Sequence, residues 1–384
     1  MAGSEHSTYD AIMEELHSRE AYLADVYAPL YICSYANHEF NLMNQTRQVY
    51  FVGKQLQNVR LHILFIAPRG YMKSYYGNVM AQDDFSIFKG TKTDVGAEQS
   101  LTEAGFVGTC ATVNGLSLTT PGSAELNKNG LMFIDEFKGI TEALKSQMNS
   151  QMETQLLAAL DHGRVYKRLG SGAINYKTFL TLWTGVQPGS YDLNSGLGRR
   201  FCVQIFMPTR ADNDALLDIM FKTQNLKPDM GQMRLLWDNI DTNVERMKKI
   251  ERIDIDPSVK EYYHKLGMNS FDSTLFNRLI IGYHLMKDGP SPHMEVAIND
   301  KEIKALVDNQ KKWRDQVYEG LDFLQITAIL HAHLGEGGVC SCERSQIVAE
   351  CAMIGWNAKQ VYEKLGEMVK YQLVTQKGNV VILK

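Results

Sequence analysis

Two residue pairs in this chain have the types and settings to handle a phosphorylated ligand: Lys73-Ser74 and Asp135-Glu136. The first pair closes the segment Leu61 to Ser74, LHILFIAPRGYMKS, in which an apolar run passes into a short loop containing Gly70. A buried strand fits the run, Gly70 gives the turn a permissive backbone, and a helix starting near Met72 would aim unpaired N–H groups at an anion. Lys73 would then meet the β- and γ-phosphates of a nucleotide, and the Ser74 hydroxyl would hold magnesium. The general pattern is G-x-x-x-x-G-K-[ST]. Here Ala67 stands at the first glycine and Met72 at the second, so the loop alone fits an ordinary strand-turn-helix with an exposed Lys-Ser pair equally well.

The second pair ends Asn129 to Phe137, NGLMFIDEF, where four apolar residues run into two carboxylates. A buried strand delivers such groups to the end of a parallel sheet, where ligands bind. Asp135 would hold magnesium through water, and Glu136 would polarise an attacking water. An acidic strand end is common by itself; its place some sixty residues after a Lys-Ser loop makes it informative. Phe179 to Trp183, FLTLW, is a third apolar strand, followed by Thr184 and Gln187, either of which could sense a γ-phosphate. SGLGRRF, Ser195 to Phe201, puts Arg199 and Arg200 before the strand CVQIF. Arginines in such a place stabilise charge on a transferred phosphoryl group, often from a neighbouring subunit.

The elements that must position these groups can be laid out along the 384 residues, a length for two or three domains. A net charge of −4 announces no global basic field, so any nucleic-acid contact must be local. Six scattered cysteines without paired spacing suit reduced thiols in a cytosol, not a zinc site or a disulfide framework. No apolar run is long enough for a membrane span, and no export signal is visible, so a cytoplasmic or nucleoid-associated protein is expected. Helical spacing marks Tyr9 to Ser18 and Phe40 to Leu56, with Ala28-Pro29 as a break between them. A helix continues over Tyr75 to Met80.

Residues 89 to 125 are rich in Gly, Thr and Ser, and Asn114-Gly115 is a strong hairpin signal. A helix from about Thr141 to His162 precedes RVYKRLGSGAINYKT, which reads as two short strands joined around Gly170-Ser171-Gly172. All its charges are positive: Arg164, Lys167, Arg168 and Lys177. That suits a phosphate backbone, and the bland alternative is a solvated turn. Phe271 to Lys287 and Asn299 to Trp313 follow as helices, the latter capped by Asn299 or Asp300. From 321 onward, three amphipathic helices (Leu321 to His331, Ser345 to Ile354, Ala358 to Val369) and a strand pair turning at Lys377-Gly378-Asn379 make a winged helix. Its six basic and six acidic residues, with Glu363 and Glu367 on the would-be recognition helix, favour a regulatory or weak DNA contact.

Taken in this order, the motifs resemble those of AAA+ ATPases, and in detail the minichromosome maintenance (MCM) helicases. That family's nucleotide loop reads G-D-P-G-x-A-K-S, so Met72 departs only from an alanine, and Ala67 with Pro68-Arg69 is the unusual part. The resemblance covers about residues 25 to 315 and implies a fold of the α/β class: an AAA+ P-loop NTPase with a three-layer αβα core and a helical lid, followed by the winged helix. The implied boundaries are an N-terminal helical extension at 1–25, the core with inserted hairpins at 26–250, the lid at 251–316 and the winged helix at 317–384. The family's N-terminal collar has no counterpart expected before residue 25. ATP and Mg2+ are the implied cofactors. ATP would lie against Pro68, Arg69, Gly70, Tyr71, Met72, Lys73 and Ser74, with Thr184, Gln187, Arg278 and Tyr35 further out; Tyr35 lies in the stretch matching the family's A-P-x-I-Y-G-H-E, near the adenine. Ser74 and Asp135 would bind the metal, and Glu136, Lys73 and the finger Arg200 would run hydrolysis. The family's sensor arginine aligns with Ser273, while Arg278 lies further along the same helix. Its DNA-contacting lysine falls on Lys167, with Arg168 beside it. The implied function is an ATP-driven DNA helicase or translocase in replication, a homohexameric ring with DNA and replication proteins as partners. The alternatives are a nucleotide-dependent DNA-binding scaffold or loader, and a protein remodeller or transcription regulator; the activators' G-A-F-T-G-A loop is absent from 95 to 125.

Overall fold

In the computed structural model, which describes residues 7–45, 48–55, 58–68, 71–98, 102–137, 150–187, 198–208, 210–223, 229–319, 323–333, 339–353, 356–370 and 373–383, the apolar runs are strands of one sheet. They are β1 (His62–Ile66), β2 (Val95–Glu98), β3 (Leu131–Ile134), β4 (Thr181–Val186) and β5 (Phe201–Ile205). All pairings are parallel, in the spatial order β5-β1-β4-β3-β2. Every residue of β1, β3, β4 and β5 is buried, as expected of a parallel sheet covered on both faces. The protein is therefore of the mixed α/β class, with an all-parallel five-stranded sheet consistent with a P-loop-like or Rossmann-like core. Because β1 sits between β4 and β5, the loop leaving its carboxyl end opens where the chain's crossovers diverge, the usual place for a ligand crevice.

Helix α1 (Thr8–Ser18) is capped by Ser7, whose hydroxyl accepts from the Asp10 amide at 3.0 Å. Helix α2 (Ala24–Met43) corrects the expectation of a break at Ala28-Pro29 and of a helix over Phe40 to Leu56. Pro29 lies inside α2 near its start; the carbonyl it leaves without a donor belongs to the exposed Asp25, where water can cover it. Beyond Met43 the chain forms an antiparallel strand pair, Tyr50–Phe51 with Lys54–Gln55, turning at Val52-Gly53, both with positive φ (48° and 73°). That two-residue turn is incompatible with a continuing helix. The pair joins Arg252–Ile255 and His293–Val296 in a second, four-stranded sheet.

Two hairpins are built out from the main sheet: Gly108–Val113 with Leu116–Pro121, turning at Asn114-Gly115, and Arg164–Leu169 with Gly172–Lys177. They are docked together, since Ser117 Oγ donates to the Ser171 carbonyl (2.7 Å) and Ser171 Oγ donates to the Cys110 carbonyl (2.6 Å). The helix before the second hairpin is described from Ser150 onward, and its end, Ala158–His162, is a π turn. Helix α3 (Ser270–Lys287) packs against α2, and helix α4 (Lys301–Glu319) starts at Asp300, whose carboxylate accepts from the Ile303 amide (3.0 Å).

Buried apolar side chains fall into two clusters. One runs from Tyr9 to Val317, so α1 is part of the main core through Ile12 and Leu16 and not an appendage. The other, from Ile326 to Val381, belongs to three helices (Leu324–Ala332, Arg344–Ala352, Ala358–Lys370) and a three-stranded antiparallel sheet of Ser341–Glu343, Val380–Leu383 and Val374–Lys377. Among the described residues all six cysteines are free, and no helix is long and apolar enough to cross a membrane.

Candidate functional site

The carboxyl end of the sheet gathers the first set of residues. Beyond Ile66 the chain turns through a loop whose Arg69 and Gly70 lie outside the described residues, and a helix begins at Lys73. Met72, just before it, has φ 33°, a backbone that a side chain resists at a cost of roughly 1–3 kcal/mol. This is the position at which the general loop pattern has its second glycine, so the turn keeps a glycine-like conformation without the glycine. Lys73 is only 5% exposed, and its ammonium donates to the carbonyls of Ala67 (2.8 Å) and Pro68 (2.7 Å). Burial pulls its pKa down to about 8, against the opposing pull of the nearby Asp135 and Glu136 carboxylates.

What lets Lys73 lie there is Gly185 in β4. A Cβ at that position would come within 2.6 Å of the Asp135 carbonyl and 2.8 Å of the Lys73 Cδ. The pairing of Thr184 with Ile134 brings Asp135 alongside. Ser74 Oγ donates to Asp135 Oδ1 at 2.7 Å. One residue on, Gln187 Nε2 donates to Glu136 Oε1 at 2.9 Å. A hydroxyl and a carboxylate in contact are hard oxygen donors, the set that fits a magnesium ion completed by water and phosphate oxygens. A buried ammonium whose acceptors among the described residues are neutral carbonyls likewise fits an anion, which would offer it stronger partners.

Of the two candidate sensors, Thr184 in β4 and Gln187 just after it, Gln187 lies beside the carboxylates and Thr184 does not. The Thr184 hydroxyl is buried and donates to the Ile63 carbonyl (2.9 Å), satisfied inside the sheet. Tyr35 is corrected too: its ring is fully buried and stacked on Phe88 (centroids 4.0 Å apart), and its hydroxyl accepts from Thr93 (2.8 Å). The aromatic rings next to the loop are instead Tyr71 and Tyr22, each 6.4 Å from Phe206 between centroids.

The second set lies at the other end of the sheet. β5 pairs with β1 from Phe201↔His62 to Ile205↔Ile66, so Arg200 precedes the sheet where Lys73 follows it. Five residues of strand put about 16 Å between those ends. Arg200 holds the Asp161 carboxylate through Nε (3.0 Å) and Nη2 (2.7 Å). Asp161 is fixed by the π turn Ala158–His162, whose carbonyls are covered by a buried cation. Arg60, 1% exposed, donates to the carbonyls of Ala159 (3.0 Å), Leu160 (2.7 Å) and Leu180 (2.6 Å), and Asn58 donates to that of Asp161 (3.1 Å). Burial, then the neighbouring Arg278 charge, lowers the Arg60 pKa to about 9.

Arg278 belongs to this set. It donates to the Arg60 carbonyl (3.3 Å) and, with Arg199, Arg200 and Asp161, lines a cavity of about 200 Å³. The charged groups among its lining residues are three guanidiniums and one carboxylate. Ser273, at the family's sensor position, is used locally, donating to the Ser270 carbonyl (2.7 Å) in the first turn of α3.

The third predicted set is split. Lys167 is turned inward and paired with Glu103, whereas Arg168 is exposed. Sequence reasoning missed Gly185, Asp161 and Arg60. A glycine interrupting the run TLWTGV was a signal for the first; nothing local marked the other two. No protein-family model matches the chain, and no curated protein matches it either.

Proposed function

We propose that the chain is an ATPase of the AAA+ type, similar to the MCM helicases, that assembles as a ring and couples ATP hydrolysis to movement along DNA. The reading rests above all on the Ser74–Asp135 hydrogen bond, formed beside the buried ammonium of Lys73 at the carboxyl end of a parallel sheet. In it, Lys73 exchanges its carbonyl partners for phosphate oxygens, and Tyr71 and Tyr22 offer rings to the base. Ser74 and Asp135 would hold Mg2+, which would supply charge neutralisation at the phosphates. Glu136 accepts the proton of the attacking water, and Gln187, bonded to it, fixes the orientation of that carboxylate. Arg200, with Arg199 and Arg278, cannot reach the same site across the length of the sheet, so the guanidiniums serve the site of the next protomer. The two clusters of buried apolar residues support a separate C-terminal winged helix.

A second reading, a nucleotide-dependent scaffold or loader without turnover, draws on Ala67 and Met72 in the loop and on Ser273 in place of an arginine. One assay separates them: ATP hydrolysis by the purified chain with and without DNA, alongside strand displacement on a fork. Turnover that rises with DNA and stops in Glu136→Gln supports the motor. Nucleotide binding and ring assembly without turnover support the scaffold.

A further inference from the structure

The helix Arg210–Thr223, which follows β5, has no buried residue among its described side chains. It lies close to the nucleotide loop. The Tyr22 hydroxyl donates to Asp212 (2.6 Å), Lys222 pairs with Glu20 (3.7 Å), and the Phe206 ring just ahead of the helix is 6.4 Å from that of Tyr71. Leu216 packs on the main core, so the helix is held along one side. Asp214, Leu217, Asp218 and Phe221 share the other side, since the spacing i, i+3, i+4, i+7 stacks residues on one helix face. All four are exposed, Leu217 by 52% and Phe221 by 70%. Among the described residues neither Asp214 nor Asp218 has a cationic partner. Two large apolar side chains open to water and framed by two carboxylates form a surface suited to a protein partner.

A surface of complementary character lies at the opposite end of the sheet. A cavity of about 720 Å³ is lined by Phe51, Val52, Ile255 and Ile281, together with Lys54 and Arg278. It adjoins the arginine cavity, with which it shares Asp161 and Arg278. Asp161 is already paired with Arg200, whereas Lys54 is exposed and has no carboxylate partner among the described residues. The helix therefore offers apolar and acidic groups, and the cavity offers apolar and basic ones. The length of β5 stands between them, so they cannot meet within one protomer.

We propose that the outward face of the helix Arg210–Thr223 docks into this cavity on a second copy of the chain. Leu217 and Phe221 pack against Phe51, Val52, Ile255 and Ile281, and Asp214 and Asp218 face Lys54 and Arg278. Two different patches that meet head to tail make a heterologous contact, which continues into a ring or filament and does not stop at a two-fold dimer. In the proposed function Arg200 of one protomer faces Lys73 of the next. The helix near one protomer's Lys73 then faces the cavity near its neighbour's Arg200, so the contact deepens that reading and rests on it for its orientation. The apolar pair supplies affinity, and the charges fix which patch meets which.

The test is sedimentation velocity of the full chain over a range of concentrations, with Mg2+ and a non-hydrolysable ATP analogue. Phe221→Ala, at an exposed site where the fold has little to lose, should raise the concentration for half-assembly by about tenfold or more. Lys54→Glu and Asp218→Lys should each weaken assembly by placing like charges opposite one another. Their combination in one chain should restore it to within about threefold of the parent, and so should a one-to-one mixture of the two single variants, in which each helix meets a cavity of opposite charge. Parental assembly by Phe221→Ala, or no recovery in either combination, would overturn the proposal. Nucleotide affinity is measured separately with a fluorescent ATP analogue. A chain that binds nucleotide and assembles regardless of these substitutions overturns this inference alone. One that assembles with the stated pattern but has no nucleotide affinity overturns the motor and leaves the contact, and one that stays monomeric throughout overturns both the contact and the ring.

Discussion

In the proposed ATPase, the two ends of the main sheet carry opposite halves of one chemistry. At the carboxyl end, Lys73, Ser74, Asp135, Glu136 and Gln187 touch one another directly through hydrogen bonds or pack side by side. At the amino end, Arg199, Arg200 and Arg278 line one cavity with Asp161, whose carboxylate is paired with Arg200. In the proposed reading the first set binds the phosphorylated ligand, and the second, three guanidiniums lining one cavity, serves the site of another protomer. Parallel strands impose this separation, because residues before and after a strand must lie at opposite ends of the sheet.

Mixing variants is the strongest way to break the comparison. Arg200→Ala should lose turnover by about 10³-fold or more while keeping nucleotide affinity. Combined one to one with Glu136→Gln, it should regain about a quarter of the parental rate if interfaces act independently, since one pairing in four joins two intact halves. No recovery in the mixture would place both groups in one protomer's site. Glu136→Gln alone should cost about 10²- to 10⁴-fold in kcat with nucleotide binding intact, checked by steady-state hydrolysis and by titration of a fluorescent ATP analogue. Unimpaired hydrolysis would remove Glu136 from its role.

Gly185→Ala probes the carboxyl end without touching a charged group. Its methyl group would displace Lys73, and nucleotide affinity should fall by about tenfold or more, read by the same titration; full affinity would mean that the lysine position is not needed. pH gives a gentler test. Lys73 is cationic below its folded pKa of about 8 and neutral above it, so affinity for the triphosphate should fall as pH rises through about 8. Lys73→Arg should flatten that dependence, and a profile unchanged in the variant would point to another group. The smallest effect belongs to Asp161→Asn. Its ion pair with Arg200 is about a quarter exposed on each side, worth about 0.2–1 kcal/mol, so removing that pair should raise turnover by no more than about fivefold at low protein concentration. A large loss would make Asp161 part of the reaction instead of a resting partner.

Much of the carboxyl-end site was legible in the chain because its signals are local. Apolar runs ending in Lys73-Ser74, in Asp135-Glu136 and ahead of Gln187 mark strands that finish at a polar boundary. The hairpins were legible from Asn114-Gly115 and Gly170-Ser171-Gly172 for the same reason. Thr184 and Tyr35 were misplaced because each is satisfied by a partner remote in sequence, Ile63 and Thr93, that no spacing reveals. The helix over Phe40 to Leu56 failed where the turn at Val52-Gly53 outweighed helical periodicity.

By itself the sequence determined which residues stand at strand ends and which segments are hairpins, since buried runs, turn residues and two-residue alternation are properties of neighbours along the chain. Tertiary structure alone decided the strand order β5-β1-β4-β3-β2, and with it that Arg200 and Arg278 lie apart from Lys73. It also decided that Lys167 faces Glu103 while Tyr166 faces outward. Alternation says that a strand has two faces; only packing against the rest of the molecule says which of them is inside.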